Sequence, residues 1–145
     1  MKLLLVEDSR LLRERLRGMI RAIPGCEIVA EADTELDARL RVDQQRPDVV
    51  VLDLRLRGGS GLSVLDYVKA RLPDVIIIVL TNYGDAEYRA RCLDLGADYF
   101  FDKSRDIDTF LGVLGELQLR LFAPAEEAAG ATRTTIGAAE EREAT

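Results

Sequence analysis

Glu7 and Asp8 follow the apolar run Lys2-Leu3-Leu4-Leu5-Val6, and Asp53 follows the apolar run Val49-Val50-Val51-Leu52. If the two runs are neighbouring parallel strands, three carboxylates meet in one small pocket. Clustered carboxylates repel one another, which raises their pKa values and costs stability unless a cation neutralises them. Mg²⁺ suits such a cluster, because it takes one or two carboxylates, keeps several waters and accepts phosphate oxygens. Thr81 ends the run that begins at Val75, and Lys103 comes after Asp98-Tyr99-Phe100-Phe101. A hydroxyl and an ammonium at the same sheet edge supply a hydrogen-bond donor and a fixed positive charge, both of which an anionic phosphoryl group needs. Taken singly, the acidic pair reads as a solvated loop, Thr81 as a helix cap and Lys103 as a surface lysine. The chemistry lies in the set.

These residues need a scaffold that gathers strand ends. Short apolar runs rich in β-branched residues occur at about 2–6, 26–31, 48–52, 75–80 and 98–101, with helical periodicity between them. Ser9 is a candidate N-cap for a helix at about 9–22, whose apolar face would comprise Leu11, Leu12, Leu16, Met19 and Ile20. Pro47 and Pro73 each end a helical stretch and open a strand. Val49–Leu52 and Val75–Leu80 are apolar throughout rather than alternately, as expected of strands covered on both faces. Five βα units with right-handed crossovers give an α/β, doubly wound, five-stranded parallel sheet, for which one common arrangement is the flavodoxin-like strand order 2-1-3-4-5. In that order the ligand site falls between strands 1 and 3, at their carboxyl ends. Glu7, Asp8 and Asp53 lie there.

The chain has 145 residues, 48% of them hydrophobic and 32% charged, which fits one globular domain. A net charge of -6 argues against direct nucleic-acid binding, since such a surface must attract phosphates. Cys26 and Cys92 have no CxxC spacing and the chain has no histidine, so zinc, haem and a paired redox motif are not expected. Two buried, reduced thiols are. No apolar run approaches the ~20 residues of a membrane span, and no signal-peptide core follows Met1, so a cytoplasmic location is expected. From Ala123 the composition turns to Ala, Glu and Thr. The expected division is a folded domain at 1–122 and a flexible tail at 123–145.

In order and spacing, four groups of residues resemble the receiver domain of bacterial two-component response regulators, the CheY-like family. They are Val6-Glu7-Asp8-Ser9; Val51-Leu52-Asp53-Leu54 with Gly58 through Gly61-Leu62; Leu80-Thr81-Asn82; and Gly96-Ala97-Asp98-Tyr99-Phe100-Phe101-Asp102-Lys103. The resemblance implies that Asp53 accepts a phosphoryl group from a histidine kinase or histidine phosphotransfer protein. Asp8 and Asp53 would bind Mg²⁺ or Mn²⁺ directly, Glu7 through a water, and the backbone carbonyl of Arg55 would complete the protein ligands. Lys103 would pair with the phosphoryl oxygens, the Thr81 hydroxyl would move toward them, and Phe100 would be the aromatic that rotates inward. Tyr99 and Phe101 are expected as ordinary strand residues, one core and one surface. The phosphorelay would then switch a protein-interaction surface on the fourth helix, fifth strand and fifth helix, toward an effector or a second copy. No enzymatic activity is implied beyond self-phosphorylation from a phosphodonor and autodephosphorylation.

Two departures from the family pattern stand out. Ser104 occupies a position where relatives carry proline after an often cis peptide, and Arg55 and Tyr83 would shield an acyl phosphate from hydrolytic water. Arg10, Arg13 and Arg17 share a helix face at i, i+3 and i+7, a candidate docking stripe for the kinase or phosphotransfer partner. Rival readings are a degenerate receiver that binds partners without phosphorylation and an aspartate-nucleophile phosphohydrolase. The latter wants a general acid two residues after the nucleophile, where this chain has Arg55.

Overall fold

The computed structural model describes residues 1–82 and 86–122. Tyr83 and the stretch 123–145 therefore lie outside the described residues. The elements alternate strictly: β1 (Lys2–Val6), α1 (Arg10–Arg21), β2 (Glu27–Ala32), α2 (Glu35–Gln45), β3 (Val49–Leu52), α3 (Gly61–Arg71), β4 (Ile76–Thr81), α4 (Ala86–Asp94), β5 (Tyr99–Asp102) and α5 (Ile107–Phe122). All four strand pairings are parallel, and the order across the sheet is β2-β1-β3-β4-β5. This is the doubly wound, flavodoxin-like α/β fold expected from the apolar runs.

Each strand starts within one residue of its apolar run because the sequence punctuates it. Hydroxyl caps open the first three helices: Ser9 accepts from the Leu12 N–H, Thr34 from the Asp37 N–H and Ser60 from the Leu62 N–H. Arg46 ends α2 in a left-handed conformation at φ 46°, and Pro47 prevents the helix from continuing.

Two apolar layers sandwich the sheet. Leu4, Val6, Val50, Leu52, Ile77 and Val79 point into one with Val42, Val64, Val68 and Cys92. Leu3, Leu5, Val49, Val51, Ile78 and Leu80 point into the other with Leu16, Ile20, Phe110 and Leu114. Strand residues alternate between the layers, so each central strand is apolar along its whole length.

Three expectations need correction. Leu11 is 70% exposed and takes no part in the buried face of α1, because it precedes Leu12 by one position and points about 100° away from it. Cys92 is buried, whereas Cys26 is only half-buried. Desolvation raises the pKa of both thiols, that of Cys92 to about 11, so neither is a ready thiolate. Tyr99 and Phe101 do not divide between core and surface. Two positions apart on a strand they share a face, and their rings stack at 6.0 Å, half-buried beside Phe110. All peptides among the described residues are trans, Lys103–Ser104 included.

Gly61, at the start of α3, is required by close approach rather than by backbone angle. A Cβ there would lie 2.1 Å from the carbonyl oxygen of Asp53 and 2.6 Å from the Leu54 Cα. Gly115 in α5 has nothing within 4 Å of its would-be Cβ. Gly61→Ala is therefore expected to cost about 1–3 kcal/mol by overpacking. Gly115→Ala should instead gain roughly 0.5–1 kcal/mol from reduced unfolded-state entropy. Urea denaturation of the two variants checks the contrast, and equal effects would contradict it.

Candidate phosphoacceptor and metal site

Val6 stands opposite Leu52 in the β1–β3 register, so the next residues, Glu7 and Asp53, leave the sheet side by side. The Asp53 N–H donates to the Val6 carbonyl at 3.0 Å, and the Glu7 N–H to the Ala32 carbonyl at 3.0 Å, extending both ladders by one residue. Glu7 is 1% exposed and Asp53 5%, while Asp8 is half-buried. One carboxylate oxygen from each of the three lies within 4.8 Å of the others. The expected acidic pocket is formed.

Lys103 comes from the far side of the sheet. β5 is two strands from β3, roughly 10 Å at the usual inter-strand spacing, so only a long side chain can cross. Its own backbone is fixed first: the Lys103 N–H donates to the Thr81 carbonyl at 3.1 Å, one step beyond the Thr81–Asp102 pair. Nζ then donates to Asp53 Oδ2 at 2.7 Å and lies 2.5 Å from Glu7 Oε1. The second contact is an ion pair to a buried carboxylate oxygen. Beyond Lys103, Asp102 accepts the N–H groups of Ser104 and Arg105 and closes the turn.

Burial pushes the Glu7 pKa up to about 6, against the opposing pull of the Lys103 ammonium and of the Ser9 N–H, which donates to Oε2 at 3.0 Å. For Lys103, burial alone would lower the pKa. Its close contacts with Asp53 and Glu7 outweigh that and raise it, so the ammonium stays charged.

Thr81 is fully buried at the end of β4. Phe100 is half-buried against the layer that holds Cys92 and Ala97, with the Arg89 guanidinium 6.0 Å above its ring. Arg55 is exposed, and its N–H lies 3.5 Å from Asp53 Oδ1. A cleft of about 400 Å³ beside Leu54 is lined by Arg55, Ser60, Ser63, Tyr88 and Arg91. Glu7, Asp8, Asp53 and Lys103 are thus brought together, with Thr81 adjoining through the Lys103 backbone and Phe100 set apart in the flanking layer.

The basic stripe on α1 differs from expectation. Arg17 makes a two-pronged pair with Glu31 of β2 at 2.7 and 2.8 Å, Arg13 lies 3.4 Å from the same carboxylate, and Arg10 pairs with Glu14 along the helix. Arg13 and Arg17 are turned toward β2, where both meet the Glu31 carboxylate. Sequence reasoning missed Glu31 as part of the site's frame. An acidic residue inside an apolar strand was the available signal.

The response regulator receiver domain family matches residues 3–114, and the chain belongs to that family. It is a receiver of two-component signalling. It is 34% identical over 102 residues to the DNA-binding transcriptional activator DevR/DosR of Mycobacterium tuberculosis, covering 70% of this chain and 47% of that protein. It is also 38% identical over 106 residues to a protein-glutamate methylesterase/protein-glutamine glutaminase of Hydrogenovibrio crunogenus, covering 72% of this chain and 28% of that one. The chain thus spans about half the length of such relatives or less. Among solved structures, a LuxR-family two-component response regulator from Aurantimonas sp. SI85-9A1 superposes with TM-score 0.76 at 26% identity, covering 97% of this chain and 96% of the other. The Mn²⁺-bound form of response regulator Rcp1 gives TM-score 0.68 at 22% identity, covering 86% and 95%. The acidic triad is consistent with the divalent-metal site typical of receivers, since three carboxylate oxygens within 4.8 Å of one another suit a hard cation. No helix among the described residues is long and apolar enough to cross a membrane.

Glu7 also sets a pH dependence. Its folded pKa of about 6 exceeds the model-peptide value of 4.5, so between these values the native state holds a proton that the unfolded chain has lost. Without metal, stability should therefore rise as pH falls from about 7 toward 4.5, by up to about 2 kcal/mol from this group. Urea unfolding in chelator at several pH values should show a shallower rise in Glu7→Gln than in the wild type. Equal slopes would contradict the assignment.

Proposed function

We propose that Asp53 is the phosphoacceptor of this receiver, taking a phosphoryl group from a histidine kinase or histidine phosphotransfer protein. The observation that carries this reading is the Lys103 ammonium held 2.7 Å from Asp53 Oδ2, in a pocket where Glu7 and Asp8 add two further carboxylates. An Asp53 oxygen attacks phosphorus, the P–N bond to the donor imidazole breaks as the P–O bond forms, and the nitrogen leaves with the bonding pair to be protonated. Lys103 holds a positive charge where the phosphoryl oxygens arrive, and the Thr81 hydroxyl donates to them. Asp8 and Asp53 would hold Mg²⁺ or Mn²⁺ directly, Glu7 through a water, with the Arg55 carbonyl as the remaining protein ligand. The ion, when bound, neutralises charge and orients the phosphoryl group.

Output would pass through α4, β5 and α5, with Phe100 as the moving aromatic. Its ring borders both the apolar layer and the Arg89 guanidinium of α4, so a change at the site can shift its balance between core and surface. On α5, Leu119 and Leu121 are exposed, while Val113, Leu114 and Leu117 are committed to the core. An effector or second copy would meet the former pair. Residues 1–122 would form the receiver proper and 123–145 a tail. In α1, Arg10 is the member of the arginine trio with its charge most open to a donor protein, since 84% of its side chain is exposed.

Incubation with Mg²⁺ and acetyl phosphate should add one phosphoryl group, read by intact mass. Asp53→Ala should add none, and Lys103→Ala should be slowed about 10²-fold. Phosphorylation unaffected by Asp53→Ala would overturn the assignment. No phosphorylation of the wild type, with partner binding retained, would favour a phosphorylation-independent interaction module.

A further inference from the structure

Arg13 reaches the acidic pocket from beneath. Its Nη1 donates to the backbone carbonyl of Glu7 at 2.7 Å, while its Nε lies 3.4 Å from Glu31 Oε1. Glu31 is itself fixed by Arg17, whose two nitrogens meet its two oxygens at 2.7 and 2.8 Å. The division of labour is uneven. Arg17 satisfies Glu31 with the ideal fork geometry and suffices to tether α1 to β2. Arg13 keeps its short bond for a carbonyl instead, and its side chain is only 19% exposed.

That carbonyl belongs to the peptide joining Glu7 to Asp8. Beyond Val6 the chain leaves the sheet, so no strand on the Asp8 side holds this peptide plane. Its orientation sets ψ of Glu7 and φ of Asp8, and through them the directions of both carboxylates. We propose that Arg13 is a positioning residue that fixes the Glu7–Asp8 peptide, and thereby the two carboxylates, in the arrangement a divalent cation binds. Glu31, 3.4 Å from the Arg13 Nε, orients that guanidinium in turn. This rests on the metal reading given above.

The sign of the effect separates positioning from simple electrostatics. A guanidinium near the pocket repels an incoming cation, so its removal on charge grounds alone would tighten Mg²⁺ binding. Loss of a positioning bond behind a metal ligand weakens it, typically 10–100-fold.

The test is a Mg²⁺ titration by calorimetry on the full chain. Arg13→Ala is expected to bind Mg²⁺ about tenfold more weakly, and Arg13→Lys, which keeps a donor for the carbonyl, should recover most of the loss. Arg17→Ala should lower urea stability yet bind Mg²⁺ near the wild-type level. With acetyl phosphate, Arg13→Ala should need more Mg²⁺ for half-maximal rate but reach a near wild-type rate at saturation. If Arg13→Ala does not fold, Arg13→Met, which keeps the packed stem, is read in its place. Unchanged or tighter Mg²⁺ binding by the Arg13 variant, or equal weakening by Arg17→Ala, overturns the proposal. A wild type that binds no Mg²⁺ overturns the metal reading and this inference with it.

Discussion

The structure turns on one ammonium shared by two buried carboxylates. Glu7 and Asp53 sit almost wholly out of water because β1 and β3 are neighbours, and two such charges side by side would repel strongly. Lys103 resolves this by crossing two strand positions to touch both. The pairing therefore constrains the sheet: β5 must lie where the residue after it can reach the end of β3, and that residue's backbone must be anchored to β4, which the bond to the Thr81 carbonyl achieves. Removing one partner of a buried pair strands a charge and costs about 3–5 kcal/mol, so the lysine is structural before it is chemical.

Around that pair the loops are fastened to one another rather than left to solvent. Gly61 lets α3 start against the Asp53 carbonyl, and its N–H donates to Leu54 O at 2.9 Å, closing the turn after the acceptor. The loop after β2 clasps the same turn from outside: Glu35 donates its N–H to the Gly58 carbonyl at 2.7 Å and accepts the Ser60 N–H at 2.9 Å. Arg13 secures the turn after β1. Three loops thus hold two strand ends, and the carboxylates inherit their positions from backbone hydrogen bonds. Pre-organisation of this kind lets a binding site avoid ordering costs when its ligand arrives.

The strands were legible because burial on both faces leaves an unmistakable trace: Val49–Leu52 could not be a half-exposed strand, and Pro47 and Pro73 marked where strands begin. Glu7, Asp8, Asp53, Thr81 and Lys103 were legible because each ends or follows a strand, and strand ends in this fold share one edge. What stayed hidden were contacts set by the direction of a side chain around a helix. Spacing put Arg10, Arg13 and Arg17 on one face but could not say that the face turns toward Glu31, since that depends on how α1 rolls against the sheet. Leu11 was misplaced for the same reason. Tyr99 and Phe101 have the same parity, and because a strand has period two they share one face.

On the proposed reading, the same ammonium that stabilises the resting pocket also sets the terms on which ligands enter it. A divalent cation must compete with Lys103 for Glu7 and Asp53, so its net affinity is a difference between two charge pairings rather than the gain of one. A phosphoryl group on Asp53 changes that balance, for it offers the ammonium oxygens bearing more negative charge than the carboxylate it replaces. Lys103 then follows the new charge, and because its backbone hangs from the Thr81 carbonyl while its strand carries Phe100, the displacement is delivered to β4 and β5 rather than dissipated in solvent. The route from chemistry to surface is short for a physical reason: the lysine that neutralises the acids follows the edge strand β5, and an edge strand is where a partner can read the change.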